Sequence, residues 1–168
     1  MRWLDSSGLQ FGYHGLNDGD SLSYYHFYTS NISVKRELLL EHPFDEDFRF
    51  AAFEDSELGI RLMAAGMRLR YHPAAVAGHD HLYDLESSCR HRYGVGRAAR
   101  VFARKQPTYA RFKWIRRLPA PLRAIVSSSV YHRIAEFAAD RGDLALIGAY
   151  YYHRNSEAFW AGYADSSE

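Results

Sequence analysis

The residues best suited to acid–base chemistry are two adjacent carboxylates, Glu54 and Asp55, which we call the acid pair. Leu58 and Leu62 follow at helical spacing and Gly66 provides a C-terminal stop, so the sequence predicts a helix that begins at the acid pair. Carboxylates in a first helical turn face the positive end of the helix dipole, and we expect both to be ionised at neutral pH. The pair can accept a proton, or it can simply cap the helix, which is worth about 0.5–2 kcal/mol.

Two imidazoles, His79 and His81, follow further along the chain. Residues 68–71 and 74–77 are predicted as short extended segments on either side of Pro73, and the second runs directly into the histidines. The acid pair and the imidazoles are therefore expected at the ends of neighbouring elements. Imidazole is a common ligand of transition-metal ions, so one hypothesis is a histidine-based metal-binding regulator, which needs both histidines and a carboxylate to converge.

A short run of small polar residues lies upstream of the acid pair: Thr29, Ser30 and Asn31. Residues 26–29 are predicted as a short β-like run. Ser30 or Asn31 can then cap a helix over residues 33–41, because their side-chain oxygens accept hydrogen bonds from free N–H groups at a helix start.

Four motifs occur in a fixed order along the first part of the chain. They are Phe-Tyr-Thr-Ser-Asn-Ile-Ser-Val-Lys-Arg (27–36), Phe-Asp-Glu-Asp-Phe (44–48), Glu-Asp-Ser-Glu-Leu-Gly-Ile-Arg-Leu (54–62) and Tyr-x-Pro-x-Ala-Val (71–76). Together with the histidine that follows, this order resembles the C-terminal half of the family 2 glycosyltransferases. The resemblance covers roughly the first hundred residues, and several motifs in order are more specific than any one alone.

The resemblance implies an α/β fold, a partial GT-A (Rossmann-like) domain with an α-helical C-terminal tail. It implies inverting transfer of a sugar from a nucleotide-sugar to a glycan, lipid or protein acceptor. In such a reaction Asp55 would be the general base for the acceptor hydroxyl and Glu54 its acidic neighbour. The boundaries we expect are 1–83 for the acceptor and catalytic-base half, and 84–168 for a basic helix and a helical hairpin.

The same resemblance implies roles for residues outside the acid pair. A divalent ion, Mn²⁺ or Mg²⁺, would neutralise the leaving diphosphate, with His79 or His81 as a ligand. Arg90 and Arg97 would meet the diphosphate, although a solvated basic face is an equal alternative. Thr29, Ser30 and Asn31 would form the floor of the sugar site, or serve only as helix caps.

Residues 1–25 are rich in Gly, Ser, Asp and Asn and are predicted to form an ordered loop. The resemblance implies that its aromatic residues line an acceptor channel, and the alternative is that they pin the loop to the body. They are Trp3, Phe11, Tyr13, Tyr24 and Tyr25.

The sequence departs from the family pattern in its donor site. An apolar strand running into an Asp-x-Asp motif is expected upstream of the acid pair, and this sequence does not contain it. Asp18-Gly19-Asp20 has the right letters, but turn-forming residues precede it and we predict a turn. The alternative function is therefore a non-catalytic binding module that keeps the acceptor-half fold without donor binding.

Composition fits one globular domain, with 168 residues of which 47% are hydrophobic. The net charge of +1 conceals a segregation, because residues 87–135 contain twelve Lys or Arg and no Asp or Glu. One cysteine, Cys89, excludes an intrachain disulfide and suits a reducing compartment. The apolar run at 144–152 is too short to span a bilayer, so we expect a cytoplasmic protein.

The second half is predicted to be helical, with helices over 84–105, 122–140 and 143–161. Residues 109–118 mix basic residues with Trp and Phe, which suits peripheral contact with an anionic inner membrane face. No signature of a nucleic-acid-binding fold accompanies them. The last two helices are expected to form a hairpin that packs on the body or forms a homodimer contact.

Overall fold

The computed structural model describes residues 11–78, 84–110, 119–126, 128–140 and 144–166. The elements, in chain order, are β1 (Ser21–Leu22), a 3₁₀ turn (Tyr24–His26), α1 (Arg36–Glu41), α2 (Glu54–Ala64), β2 (Leu69–Arg70), α3 (Leu85–Lys105), α4 (Ala120–Val126), α5 (Ser129–Asp140) and α6 (Leu144–Ala164). The described part of the chain is therefore a mixed fold that is rich in helix.

The sheet formed by the described residues has two strands. β1 and β2 pair antiparallel, with Ser21 opposite Arg70 and Leu22 opposite Leu69. The described residues thus agree with a mixed α and β composition, and they do not show a Rossmann-like sheet.

Pairing continues past the strand ends to the turn at residues 18–20. The Gly19 N–H donates to the Tyr71 carbonyl at 2.9 Å, and the Tyr71 N–H donates to the Asp20 carbonyl at 3.0 Å. Gly19 has φ of 79°, a left-handed value that suits glycine in a tight turn. The predicted turn is confirmed, and it holds Tyr71 beside the loop that begins at Phe11.

A first core forms where α2 packs on the segment around the 3₁₀ turn. Its buried members are Phe27, Leu58 and Leu62. Gly59 permits the contact, because a Cβ there would lie 2.9 Å from the Phe27 Cβ. Apolar residues from α1, β2 and their flanks complete the cluster: Ile32, Val34, Leu38, Leu39, Met67 and Leu69.

A second core forms between α3 and α6, which we call the helix pair. Val95, Ala99 and Phe159 are buried at its centre. Two glycines bring the backbones together, since a Cβ on Gly96 would lie 2.0 Å from the Phe159 carbonyl oxygen, and one on Gly162 would lie 2.0 Å from that of Tyr93. Substituting either glycine therefore requires the helices to separate.

Several predicted boundaries are confirmed. α2 ends at Ala64, followed by Gly66 with φ of 92°. α3 begins after Asp84, whose carboxylate accepts from the Ser87 N–H at 2.7 Å in a capping box. The last predicted helix is present as Leu144–Ala164, and it packs on the body through α3.

Other predicted elements were wrong. Residues 24–26 form a 3₁₀ turn where a β-like run was expected at 26–29. The helix predicted over 33–41 begins only at Arg36, after an N-cap at Lys35 that makes no side-chain capping bond. Residues 74–77, predicted as extended, include a turn in which the Ala75 N–H donates to the His72 carbonyl at 3.1 Å. The helix predicted over 122–140 is two helices, α4 and α5.

None of the helices in the described part of the chain is both long and apolar enough to cross a membrane.

Candidate functional site

The acid pair begins α2 immediately after an unusual backbone conformation. Phe53 is the N-cap residue and has φ of 65° and ψ of −12°, in the left-handed region. A non-glycine residue there costs about 1–3 kcal/mol, and such residues concentrate at functional sites. Among the described residues Phe53 is the only non-glycine residue with positive φ.

Contacts with the helix pair offset this strain. The Phe53 ring lies 5.2 Å from the Phe102 ring and packs against the core of Val95, Ala99 and Phe159. Phe50 lies against Gly94 of α3, where a Cβ would come within 2.9 Å of the Phe50 ring. The segment before the acid pair is therefore anchored on α3, and this anchoring fixes where α2 begins.

Glu54 has one carboxylate oxygen, Oε2, that is buried and lacks a hydrogen-bond partner among the described residues. Burial raises the pKa of Glu54, and the neighbouring charge of Asp55 raises it further. A buried carboxylate oxygen without a partner is costly, and such atoms mark stored strain, a catalytic role, or a bound water or ion.

Asp55 is held by backbone donors. Its Oδ1 accepts from the Ser56 N–H at 2.7 Å, and the Thr29 backbone also contributes a hydrogen bond. Burial raises the pKa of Asp55, and these hydrogen bonds oppose the rise without cancelling it. The sequence-based expectation of ionised carboxylates considered only the helix dipole, and burial acts against it.

The alternative interpretation, a helix cap, describes only part of this geometry. The N-cap position belongs to Phe53, whose side chain makes no capping bond. Asp55 does bond an N–H of the first turn through Ser56, but Glu54 Oε2 makes no such bond. A cap is normally exposed and satisfied, whereas this pair is partly buried and partly unsatisfied.

An aromatic patch lies beside the acid pair and consists of Phe11, Tyr13, Tyr28 and Tyr71. Tyr28 is its centre, with ring centroids 5.2 Å from Phe11 and 5.5 Å from Tyr13, and Tyr71 lies 5.9 Å from Tyr13. Burial raises the pKa of Tyr28, and the charge of Asp55 adds to that rise. The Asp55 carboxylate therefore lies within electrostatic range of the Tyr28 phenol.

The three small polar residues are all exposed. Thr29 meets Asp55 through its backbone, and the Asn31 amide donates to the Ala75 carbonyl at 2.8 Å. None of the three is the N-cap of α1, which is Lys35. The cap interpretation for Ser30 and Asn31 is therefore wrong, and Thr29 is the one of the three that directly contacts the acid pair.

The two arginines differ. Arg90 lies on the exposed face of α3 and pairs with Glu86 one turn away at 2.5 Å. Arg97 lies over the Phe50 ring at 5.1 Å and pairs with Asp165 beyond α6 at 3.6 Å. Arg97 thus contacts the segment that leads into the acid pair, whereas Arg90 belongs to a solvated ion pair.

His79 and His81 lie outside the described residues. Within the described ranges, no group of three His, Cys, Asp or Glu side chains could hold a metal ion. The donor set for Mn²⁺ or Mg²⁺ that the resemblance implies is thus not assembled by that part of the chain.

Comparison of the chain with protein-family models, with curated proteins and with solved structures finds no match.

Sequence reasoning missed three residues of this site: Phe53, Tyr28 and Tyr71. Tyr28 follows Phe27, which is 1% exposed, so alternation along an extended stretch could have placed the Tyr28 ring on the opposite side. Tyr71 follows β2 and is brought in by the strand pairing. No sequence signal marks the left-handed backbone of Phe53, because phenylalanine is disfavoured there.

Proposed function

We propose that this chain is the acceptor and general-base part of an inverting glycosyltransferase of family 2, with a partial GT-A (Rossmann-like) fold. The proposal rests on the four ordered motifs and on one observation. The acid pair begins a helix at a strained residue, is partly buried, has one oxygen without a partner among the described residues, and lies within electrostatic range of Tyr28 in the aromatic patch.

Asp55 is the proposed base. A sugar hydroxyl is a weak nucleophile until its proton is accepted, and a carboxylate within hydrogen-bond reach can accept it as the new bond forms. The raised pKa of Asp55 favours this, because a base is most effective when its pKa approaches the working pH. Attack from the face opposite the leaving nucleoside diphosphate inverts the anomeric carbon.

Glu54 and the aromatic patch have supporting roles. Glu54 is the acidic neighbour of the base, and its Oε2 is buried without a hydrogen-bond partner among the described residues, so a second acceptor hydroxyl can reach it only after the surrounding residues move. The aromatic patch offers apolar ring faces with phenol groups at their edges, a combination that suits a sugar ring with its C–H and O–H groups. The acceptor is a glycan, a glycolipid or a glycosylated protein.

The donor side of the proposal remains a prediction. The Thr29 backbone interacts with the acid pair. Arg97 lies over the ring of Phe50, which belongs to the segment just before the acid pair. We assign these two to the nucleotide-sugar side of the proposal, with Ser30, Asn31 and Arg90 in more peripheral roles. Mn²⁺ or Mg²⁺, with His79 or His81, stays part of the proposal for the intact enzyme.

A non-catalytic binding module is the second candidate. It is favoured by one observation, namely that the rings of Phe11, Tyr13, Tyr28 and Tyr71 form an aromatic patch that can contact a sugar without a donor site. Such a module would bind a glycan on the aromatic patch without transferring a sugar to it.

Two measurements on the purified full chain separate these candidates. The first is calorimetric titration with UDP and GDP, each with and without Mn²⁺. The second is release of nucleoside diphosphate from UDP- and GDP-sugars in the presence of mixed oligosaccharide acceptors. Metal-dependent nucleotide binding with acceptor-dependent release is the result expected for the enzyme.

Oligosaccharide binding without nucleotide binding or release would overturn the enzyme for this chain and favour the module. If neither nucleotide nor oligosaccharide bound, both candidates would be rejected.

A further inference from the structure

Three side chains of α3 converge on Asp165, the first residue after α6. They are Tyr93, Arg97 and Arg100, which we call the Arg–Tyr cluster, and their spacing of i, i+4 and i+7 puts them on one side of the helix. The Tyr93 hydroxyl donates to Asp165 Oδ2, and Arg97 Nη1 lies 3.6 Å from the same oxygen. Arg100 Nη1 donates to the Asp165 carbonyl at 2.9 Å and to the Ala164 carbonyl at 3.3 Å.

Within the Arg–Tyr cluster two guanidinium groups face one carboxylate. The phenol adds a neutral donor, because its hydrogen bond to Asp165 raises the pKa of Tyr93. The carboxylate meets Tyr93 and Arg97, whereas Arg100 donates to backbone carbonyls, which carry only partial charge. An anion with a second negative charge and more acceptor oxygens would therefore complement this cluster better than a carboxylate does.

The spacing of the two arginines favours a diphosphate as that anion. Residues three apart on a helix have Cβ atoms about 5–6 Å from each other, so Arg97 and Arg100 can each meet one phosphate of a diphosphate. Arginine is the side chain best suited to phosphate oxygens, because its planar group presents paired N–H donors. The Tyr93 hydroxyl supplies a further donor on the same side of α3.

The cluster can be reached from solvent. The side chains of Arg97 and Asp165 are 26% and 21% exposed, so neither is sealed inside the helix pair. Asp165 comes after the last residue of α6, so its side chain can turn to another rotamer while the helix stays intact. An anion could then take the place that the carboxylate leaves.

We propose that the Arg–Tyr cluster is a binding site for the diphosphate group of a small molecule, and that the Asp165 carboxylate occupies this site as an internal competitor. An incoming diphosphate displaces the carboxylate and takes over its hydrogen bond from Tyr93 and its ion pair with Arg97. The inference goes beyond the proposed function and does not require it, because it rests on the contacts of Asp165 and uses no residue of the acid pair.

The alternative role of Asp165 is to tie the end of α6 to α3 and nothing else. Both roles predict that Asp165→Asn loses stability, so a melting temperature without ligand does not separate them. They differ in the effect of an added anion. Only an internal competitor, once removed, leaves a site that binds the anion more tightly than before.

The first test is calorimetric titration of the full chain with inorganic pyrophosphate. Asp165→Asn keeps an oxygen that accepts from Tyr93 but removes the negative charge, so it should bind pyrophosphate about tenfold more tightly than the wild type, or better. Equal affinity in the two proteins, or binding to neither, overturns the proposal.

A matched control removes an acid from another cation of α3. Asp47→Asn takes one carboxylate from Lys105, which keeps Asp45 as its partner, and should change pyrophosphate affinity by less than about twofold. An equal gain in Asp47→Asn and Asp165→Asn would mean that the effect follows net charge alone, and it would overturn the proposal.

Two further titrations identify the groups that bind. Adding Arg97→Gln to Asp165→Asn should abolish the gain, because one of the two guanidinium groups is then missing; a gain that persists overturns the site. UDP should show the same gain in Asp165→Asn as pyrophosphate, and uridine, which lacks the phosphates, should show none. A gain with uridine would overturn a diphosphate site.

Thermal unfolding gives a measurement that holds even when Asp165→Asn is less stable than the wild type. A ligand that binds only the folded state raises the melting temperature, so pyrophosphate should raise that of Asp165→Asn by more than that of the wild type. Equal shifts would leave Asp165 as a structural tie and overturn the proposal.

These measurements involve no sugar transfer, so the two proposals can fail separately. A gain in pyrophosphate affinity without release of nucleoside diphosphate from nucleotide-sugars would support the site and reject only the enzyme. Release without any gain in Asp165→Asn would reject only the site.

Discussion

The loop-rich part of the molecule at residues 11–78 differs from the helix pair in the regularity of its backbone and in its packing. The first contains the strained Phe53, the partly buried acid pair and a two-stranded sheet, so much of its backbone is irregular. The second contains two 21-residue helices whose backbones meet at Gly96 and Gly162. One region carries groups that destabilise the fold, and the other supplies tightly packed regular structure.

The candidate site lies in the irregular region but depends on the helix pair for its stability. Phe50 and Phe53 reach from the first region onto α3, so the strain at the acid pair is balanced by packing in the second region. Sites that hold unsatisfied or strained groups commonly rely on such a scaffold. Variants in the two regions should therefore differ in how strongly they affect turnover and stability.

The largest effect is expected from Asp55→Asn, measured as turnover in the nucleoside diphosphate release assay. Turnover should fall about 10²–10⁴-fold, because the amide cannot accept the acceptor proton, while nucleotide affinity stays nearly unchanged. Glu86→Gln makes the same chemical change at an exposed position and should retain full turnover. Near-normal turnover in Asp55→Asn would reject Asp55 as the base.

The next effect is on the helix pair. Gly96→Ala should lower the free energy of unfolding by about 3 kcal/mol or more, since its Cβ would collide with the Phe159 carbonyl. Gly78→Ala is the control, because no described residue has an atom within 4 Å of a Cβ there, and it should change stability by less than about 0.5 kcal/mol. Urea denaturation gives both values, and equal values would mean that the helices do not meet as closely as described.

A third prediction compares two ion pairs of identical sequence spacing. Arg61 bonds both carboxylate oxygens of Glu57 at 2.9 Å, and the Glu57 side chain is only 4% exposed. Arg61→Ala should cost about 3 kcal/mol because it leaves a buried carboxylate without its main partner. Arg90→Ala, which breaks the exposed pair with Glu86, should cost less than about 1 kcal/mol. Thermal unfolding of both variants at the same pH measures the two losses of stability and compares them.

The smallest effect has the opposite sign. Because burial raises the pKa of Asp55 above its unfolded value, ionisation of this carboxyl opposes folding. The stability that the protonated group contributes is present at low pH and is lost as pH rises through the folded-state pKa. Asp55→Asn keeps an oxygen acceptor without the charge, so its melting temperature at neutral pH should exceed that of the wild type.

A lower melting temperature for Asp55→Asn would instead support the interpretation of Asp55 as a helix cap. The stability of both proteins measured against pH gives a second test. The excess stability of Asp55→Asn over the wild type should shrink as pH falls. Glu54→Gln should behave in the same way, because burial also raises the pKa of Glu54.

The elements that could be predicted from the sequence are those with strong local signals. Gly66 ends α2 and Asp84 caps α3 because their backbone and side-chain preferences act within a few residues. The helix predicted over 33–41 begins only at Arg36, because Lys35 is its N-cap and Ser30 and Asn31 are not. Local polarity does not distinguish a cap from an exposed loop.

The candidate site could be predicted only in part. The order of motifs selected Glu54, Asp55 and Thr29, which the structure brings together. Tyr71 enters through the pairing of β1 with β2, a contact between distant parts of the chain. The left-handed conformation of Phe53 depends on packing against α3, so no local propensity could have indicated it.

The return of α6 to α3 also affects the order of events during synthesis. Phe159 completes the core against which Phe53 packs, although more than a hundred positions separate the two residues. The acid pair, α2 and α3 would therefore leave the ribosome well before α6, which contributes Phe159 to this core, has been synthesised. Phe53 can be held in its left-handed conformation by the full set of contacts only when the chain has been translated through α6.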